Sequence, residues 1–243
     1  MGSRICGLLL CVAKHGKLES IVLVPQEGYA GKMSKPHKVF GIGLNKTGTS
    51  SLKRALVTLG YNHCTMRGQM THKFFNNSFG QIFKTVEGFD SFEDWPWPLM
   101  YRQVFEKYGE TARYVLTRRS SAQAWLESLK AHTLVTNPHN NPRKRVFGFD
   151  YPHGAEASHI AFYENHLAEV RKFFADQNAG HVLCEVCWEE GDGWQEICDF
   201  LKEPLPNAPF PHANRRVIVP NDDDLVEENQ RLIEAQLQRL SDG

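Results

Sequence analysis

A lysine set inside a glycine-punctuated loop is the most chemically informative feature of the sequence. From Lys38 to Leu59 the chain reads KVFGIGLNKTGTSSLKRALVTL, with Gly43 and Gly48 bracketing Lys46 and with Thr49, Ser50 and Ser51 directly after. A loop of this kind, opening into a helix, points its backbone N–H groups at a shared anion. The hydroxyls add N-cap oxygens and further donors. A Walker A loop has the same glycine spacing but places its lysine immediately after the second glycine. Here Thr49 holds that place and the lysine comes earlier. The displacement points away from an ATPase or kinase and toward another group transfer from a nucleotide.

A second basic cluster follows the apolar run RYVLT: Arg118-Arg119, then Ser120-Ser121, then a helical stretch carrying Ser128. In a P-loop NTPase a later strand ends in Asp, which holds magnesium. This one ends in two arginines, whose planar forks match phosphate oxygens. With no acid adjacent in sequence, the pair reads as a second phosphate site; the competing reading is a surface pair in salt bridges.

Both clusters need a scaffold. Val39, Phe40 and Ile42 suit a buried parallel strand. Leu52, Ala55, Leu56 and Leu59 recur at helical spacing. Further along, Tyr61–Thr65 reads as the approach of a second strand, and Phe89–Asp94 as a short strand with its exit. Helices are expected over Leu99–Tyr108, Ala122–His132, Ala155–Gln177, Trp194–Leu201 and Asp222–Leu240, and strands over Arg113–Thr117 and His181–Val186. Met66–Phe83 has no clear period, and His132–Gly154 is a long Pro/Asn/His/Gly-rich loop, long enough for a lid. Strands separated by helices predict an α/β fold, a three-layer sandwich with a central parallel sheet.

Composition narrows the function classes. The 243 residues suffice for one domain with a full core. Lys+Arg and Asp+Glu are both 28, so no global basic field suggests a nucleic-acid partner. Six cysteines are too sparse for a disulfide framework, and Cys184-x-x-Cys187 on a strand places its thiols on opposite faces, which argues against zinc. Residues 1–32 are expected to be an N-terminal extension and 33–243 a single domain. The apolar run Ile5–Ala13 is too short to span a membrane as a helix and reads as a loosely docked arm or a weak signal or anchor. The expected location is cytoplasmic.

The loop motif, the strand–Arg–helix–Ser arrangement, Phe89-Asp90 with Asp94-Trp95-Pro96, and the run Pro204 to Arg215 together resemble the sulfotransferases that use 3′-phosphoadenosine 5′-phosphosulfate, in particular a short single-domain subgroup. The similarity runs from about Val39 to Arg216. It implies that Lys46 contacts the bridging oxygen and the sulfuryl group, that Thr47, Gly48, Thr49, Ser50 and Ser51 hold the 5′-phosphate, and that Asn45 and Lys46 also bind the donor. It also implies that Arg118 or Arg119, with Ser128, holds the 3′-phosphate. The glycine- and lysine-rich 3′-phosphate loop of cytosolic animal sulfotransferases is not evident, and His212, Asn214 and Arg215 stand as substitutes. The resemblance further implies 3′,5′-adenosine bisphosphate as the product and no requirement for a metal.

Sulfuryl transfer to an alcohol or phenol needs positioning, charge stabilisation and a general base. His63 and Asp94 are the level candidates for that base, each with a structural alternative: a turn histidine and a helix N-cap. Phe92, Trp95, Trp97 and Tyr101 either line an apolar pocket for a small-molecule or carbohydrate acceptor or pack the core. Arg143-Lys144-Arg145 either attracts an anionic acceptor or forms a solvated face. A P-loop small-molecule kinase and a non-catalytic nucleotide-binding module are the other classes.

Overall fold

The computed structural model describes residues 35–139, 141–212 and 223–242. Ser34–Gly243 forms one compact unit. The expected N-terminal extension, including the apolar run, lies outside the described residues. Among the described residues no helix is long and apolar enough to cross a membrane.

Four parallel strands, β1 (Val39–Gly41), β2 (Ser91–Phe92), β3 (Arg113–Thr117) and β4 (Leu183–Val186), lie in the order β2-β1-β3-β4. Helix α1 (Thr49–Thr58) leaves β1; α2 (Arg67–Phe75) and α3 (Phe79–Val86) lead to β2; α4 (Trp97–Tyr108) leads to β3. After β3 come α5 (Ala122–Leu134), the short α6 (Arg143–Phe147) and α7 (Glu156–Asp176), then β4, α8 (Trp194–Leu201) and α9 (Asp223–Ser241).

Side chains alternate across the sheet, as the two-residue strand period requires. Phe40, Phe92, Tyr114 and Leu116 face one layer with Val104, Val170 and Phe174. Val39, Val115 and Val186 face the other with Leu52, Leu56, Ile197 and Leu201. Both faces are buried along β1, β2 and most of β3, while β4, at the edge, is half-buried and carries Glu185. The chain departs from β1 toward β2 and returns on the other side as β3. The topological switch point therefore lies between the carboxyl ends of β1 and β3, where open α/β sheets bind ligands.

Three segments gain definition. Tyr61–Thr65 approaches the sheet through one parallel bridge, His63 to Ser91, without forming a strand. Met66–Phe83 is occupied by α2 and most of α3, and α2 buries only Met70, too little apolar surface to leave a periodic trace. The long loop contains α6, and α9 ties it down. Asn229 Nδ2 donates to the carbonyls of Leu134 (3.0 Å) and Thr136 (3.1 Å), and Gln236 Nε2 to those of Tyr151 and His153 (2.8 Å each). Asn229 is fully buried and Gln236 nearly so. These amides satisfy backbone groups that a buried loop leaves open.

Candidate active site

The loop between β1 and α1 is folded by contact with β3. A Cβ on Gly43 would stand 2.2 Å from Thr117 Oγ1 and 2.3 Å from Thr117 O. The backbones touch there, which only glycine permits. Thr47 spends its hydroxyl holding this geometry: it lies 2.6 Å from Leu44 O, to which it donates, and 2.6 Å from Thr117 Oγ1. Thr47 is thus committed within the scaffold. Lys46 takes a left-handed backbone conformation (φ 69°), unusual for a side chain with a Cβ.

Helix α1 begins differently from expectation. Its N-cap is Gly48 in a left-handed conformation (φ 90°), and no side chain caps it. The hydroxyls of Thr49, Ser50 and Ser51 fall inside the helix rather than at its cap. An uncapped N-terminus leaves its N–H groups and the positive end of the dipole for an external anion. Trp188 closes the loop from outside, its Nε1 donating to Gly48 O at 3.1 Å. Only the fold brings this residue, on the chain leaving β4, to the loop.

One cavity of about 900 Å³ joins the elements. Its lining includes Asn45, Lys46, Gly48, Thr49, Ser50, Arg119 and Ser128 together with Arg67, Asp94, Trp95, His132, Arg143 and Arg145. Ser51 and Thr47 are buried and lie outside this lining. The aromatic group divides: Trp95 lines the cavity, while Phe92, Trp97 and Tyr101 pack in the core.

The two arginines part company. Arg118 turns from the cavity to acids brought by β4 and its exit: Nε donates to Glu185 Oε1 (2.8 Å) and Nη1 to Glu190 Oε1 (2.9 Å). Arg119 lines the cavity, with Nη1 donating to Lys46 O (3.4 Å), Nη2 paired to Glu189, and its backbone N–H bonded to Tyr163 Oη (2.9 Å). Its Nε is buried with no partner, as is Asn45 Oδ1. An orphaned guanidinium donor beside an uncapped helix start fits a bound oxyanion. Turned over, the Asn45 amide offers a donor as well. His212 is exposed and outside the cavity lining; Asn214 and Arg215 lie outside the described residues.

Burial pushes the Lys46 ammonium below its ordinary pKa; Asp94 opposes that and Arg119 adds to it. Asp94 is itself in a left-handed conformation (φ 63°), with Oδ2 accepting from Arg67 Nη1 (2.6 Å) and Oδ1 from the Trp95 N–H (2.9 Å). His63 is outside the cavity lining: its Nδ1 lies 3.0 Å from Ser91 Oγ, and burial pushes its pKa down to about 4. The structure supplies a histidine that the motifs do not signal. His132, in the last turn of α5, lines the cavity. Its pKa is pushed down to about 4, first by burial and then by the charges of Lys46, Arg143 and Arg67. It is therefore a neutral imidazole at neutral pH.

A protein of Aspergillus versicolor named Ava biosynthesis cluster protein M is 27% identical over 218 residues, covering 72% of this chain and 80% of that protein. The family model for the sulfotransferase domain matches residues 38–218, which include the β1 loop, the β3 terminus and the walls of the cavity between them. The chain belongs to the sulfotransferase domain family, and its function is of the sulfotransferase type.

Proposed function

We propose that the protein transfers a sulfuryl group from 3′-phosphoadenosine 5′-phosphosulfate to a hydroxyl, or an amine, of a small-molecule acceptor. The observation that carries this reading is the shared cavity. Lys46, the uncapped start of α1, Arg119 and the neutral imidazole of His132 all line it. When bound, the donor supplies an activated sulfuryl group on a phosphate leaving group.

The chain's own residues then have distinct tasks. The N–H groups at Gly48–Ser50, with the hydroxyls of Thr49 and Ser50, receive the 5′-phosphate. Lys46 offers a partly desolvated ammonium to negative charge developing on the leaving oxygen, where a low-dielectric site strengthens it. Arg119 and Ser128 receive the 3′-phosphate. Arg118, its fork taken by Glu185 and Glu190, positions the end of β3. His132 accepts the acceptor's proton. Burial, aided by its cationic neighbours, keeps it unprotonated, and an anion bound beside Lys46 raises its basicity in the complex. Asp94 is the weaker candidate for that base, since both its oxygens are engaged.

The test is transfer of radiolabelled sulfur from the donor to a panel of phenols, alcohols and amines. His132→Gln is expected to lower kcat by roughly 10²–10⁴-fold. A base must be neutral to act, so the acid limb of wild-type kcat/KM, which reports the free enzyme, is expected near pH 4 rather than near 6.5. Phosphate transfer from magnesium ATP would support the kinase reading, and nucleotide binding without any transfer the non-catalytic one. Full activity in His132→Gln would remove the base from His132.

A further inference from the structure

Arg143 is a buried cation without a counter-ion. It opens α6, is 6% exposed and lines the cavity shared with Lys46. Its Nε donates to Asn141 Oδ1 at 2.9 Å, and its guanidinium stands 4.8 Å from the centre of the Tyr151 ring. Neither Nη1 nor Nη2, both buried, has a hydrogen bond of ordinary length, and among the described residues the Tyr151 hydroxyl is the one polar group that interacts with the fork. Among the described residues no carboxylate is in ion-pair contact with it; Asp150, which favours its charged form from further off, lies 3.8 Å from Lys144 Nζ. The other arginines of this wall differ: Arg67 is bonded to Asp94, and Arg145 is exposed over the Phe75 ring.

An unpaired buried guanidinium is strongly unfavourable. The ring contact with Tyr151 offsets only part of that cost. Burial pushes the Arg143 pKa below its ordinary value, and Tyr151 and Asp150, which favour the charged form, offset only part of that. The surroundings nevertheless hold the side chain in place. Tyr151 Oη donates to Asn229 Oδ1 at 2.7 Å, and the Tyr151 N–H and C=O bond to Gln236, at 3.2 and 2.8 Å. Helix α9 thus braces Tyr151, and Tyr151 with Asn141 braces Arg143. A braced fork with two unmet donors is a preorganised half of a bidentate oxyanion contact. It belongs to the same locality as the chemistry, because Arg143 and Lys46 both act on His132.

We propose that the acceptor is a hydroxy acid: a small molecule carrying a carboxylate, which Arg143 receives, and a hydroxyl, which lies toward Lys46 and His132. This rests on the sulfuryl-transfer reading above and names its substrate class. The carboxylate completes the guanidinium's hydrogen bonds and neutralises its charge, so the site discriminates against neutral analogues that leave those donors unmet.

The experiment is calorimetric titration of the full chain with matched acid and amide probes. These are 4-hydroxyphenylacetate and 4-hydroxyphenylacetamide, 4-hydroxybenzoate and its amide, and 6-hydroxyhexanoate and its amide, each with 3′,5′-adenosine bisphosphate present. At least one acid is expected to bind about ten- to a hundredfold more tightly than its amide. Arg143→Met is expected to erase that preference while binding the bisphosphate as wild type does. Its melting temperature without ligand should equal or exceed wild type, because an uncompensated buried charge is gone. No preference for any acid, or a preference that survives in Arg143→Met, overturns the proposal. A melting temperature several degrees lower assigns Arg143 a structural role and overturns it too. Failure of wild type to bind the bisphosphate counts instead against the donor reading, which separates the two.

Discussion

Lys46→Ala is expected to lower kcat for sulfuryl transfer by about 10²–10³-fold, the usual effect of removing one preorganised charge stabiliser. The fold should survive it. Lysine and alanine share the Cβ that makes the left-handed conformation at this position (φ 69°) costly, so the strain is unchanged. The ammonium is held below its ordinary pKa by burial, and among the described residues it makes no close ion pair, since Asp94, which favours its charge, is bonded to Arg67. Nucleotide binding should fall less than kcat, because the start of α1 and Arg119 remain. Steady-state kinetics beside a thermal melt reads all of this. A variant that transfers at the wild-type rate would show that Lys46 takes no part in the reaction.

Gly43→Ala is expected to be the most destabilising single substitution in the loop, by about 3 kcal/mol or more. The added Cβ meets three atoms of Thr117, at 2.2 Å (Oγ1), 2.3 Å (O) and 2.7 Å (N). Two of them are backbone and cannot rotate away. Nor can the strand yield, because β3 is clamped between β1 and β4, with Ile42 N bonded to Val115 O at 2.8 Å and Thr117 in register with Val186. Relief requires parting the carboxyl ends of β1 and β3, where the cavity begins, so nucleotide binding should fail with stability. Urea unfolding measures the change; a loss under about 0.5 kcal/mol, the range of an ordinary surface substitution, would mean that the strands do not touch there.

The parts legible in the sequence are those whose signal is local. The β1–loop–α1 unit carries its glycines, lysine and helical period within about twenty residues, and RYVLT is a buried strand read from one apolar run. Partnerships made by sheet pairing were hidden. The acids that occupy Arg118 come from β4 and its exit, beside β3 in space through the register Leu116 to Glu185. No acid stands near Arg118 in the chain, so the sequence left it level with Arg119 for the phosphate. His132 carried no signal because a histidine in the last turn of a helix resembles any other; only the cavity and its neighbouring cations distinguish it. His63 was misleading for the converse reason. Its position at the approach to the sheet is right, but its ring turns to Ser91. The role of α9 was invisible because two amides, Asn229 and Gln236, make the attachment, and polar residues on a helix read as solvated.

Calorimetric titration of the full chain with 3′,5′-adenosine bisphosphate, alongside magnesium ATP, tests the central claim most directly. The β1 loop, Arg119 and Ser128 together predict saturable binding of the bisphosphate, weakened at least about tenfold in Arg119→Ala, with no binding of magnesium ATP. Tight binding of magnesium ATP with none of the bisphosphate would contradict the account.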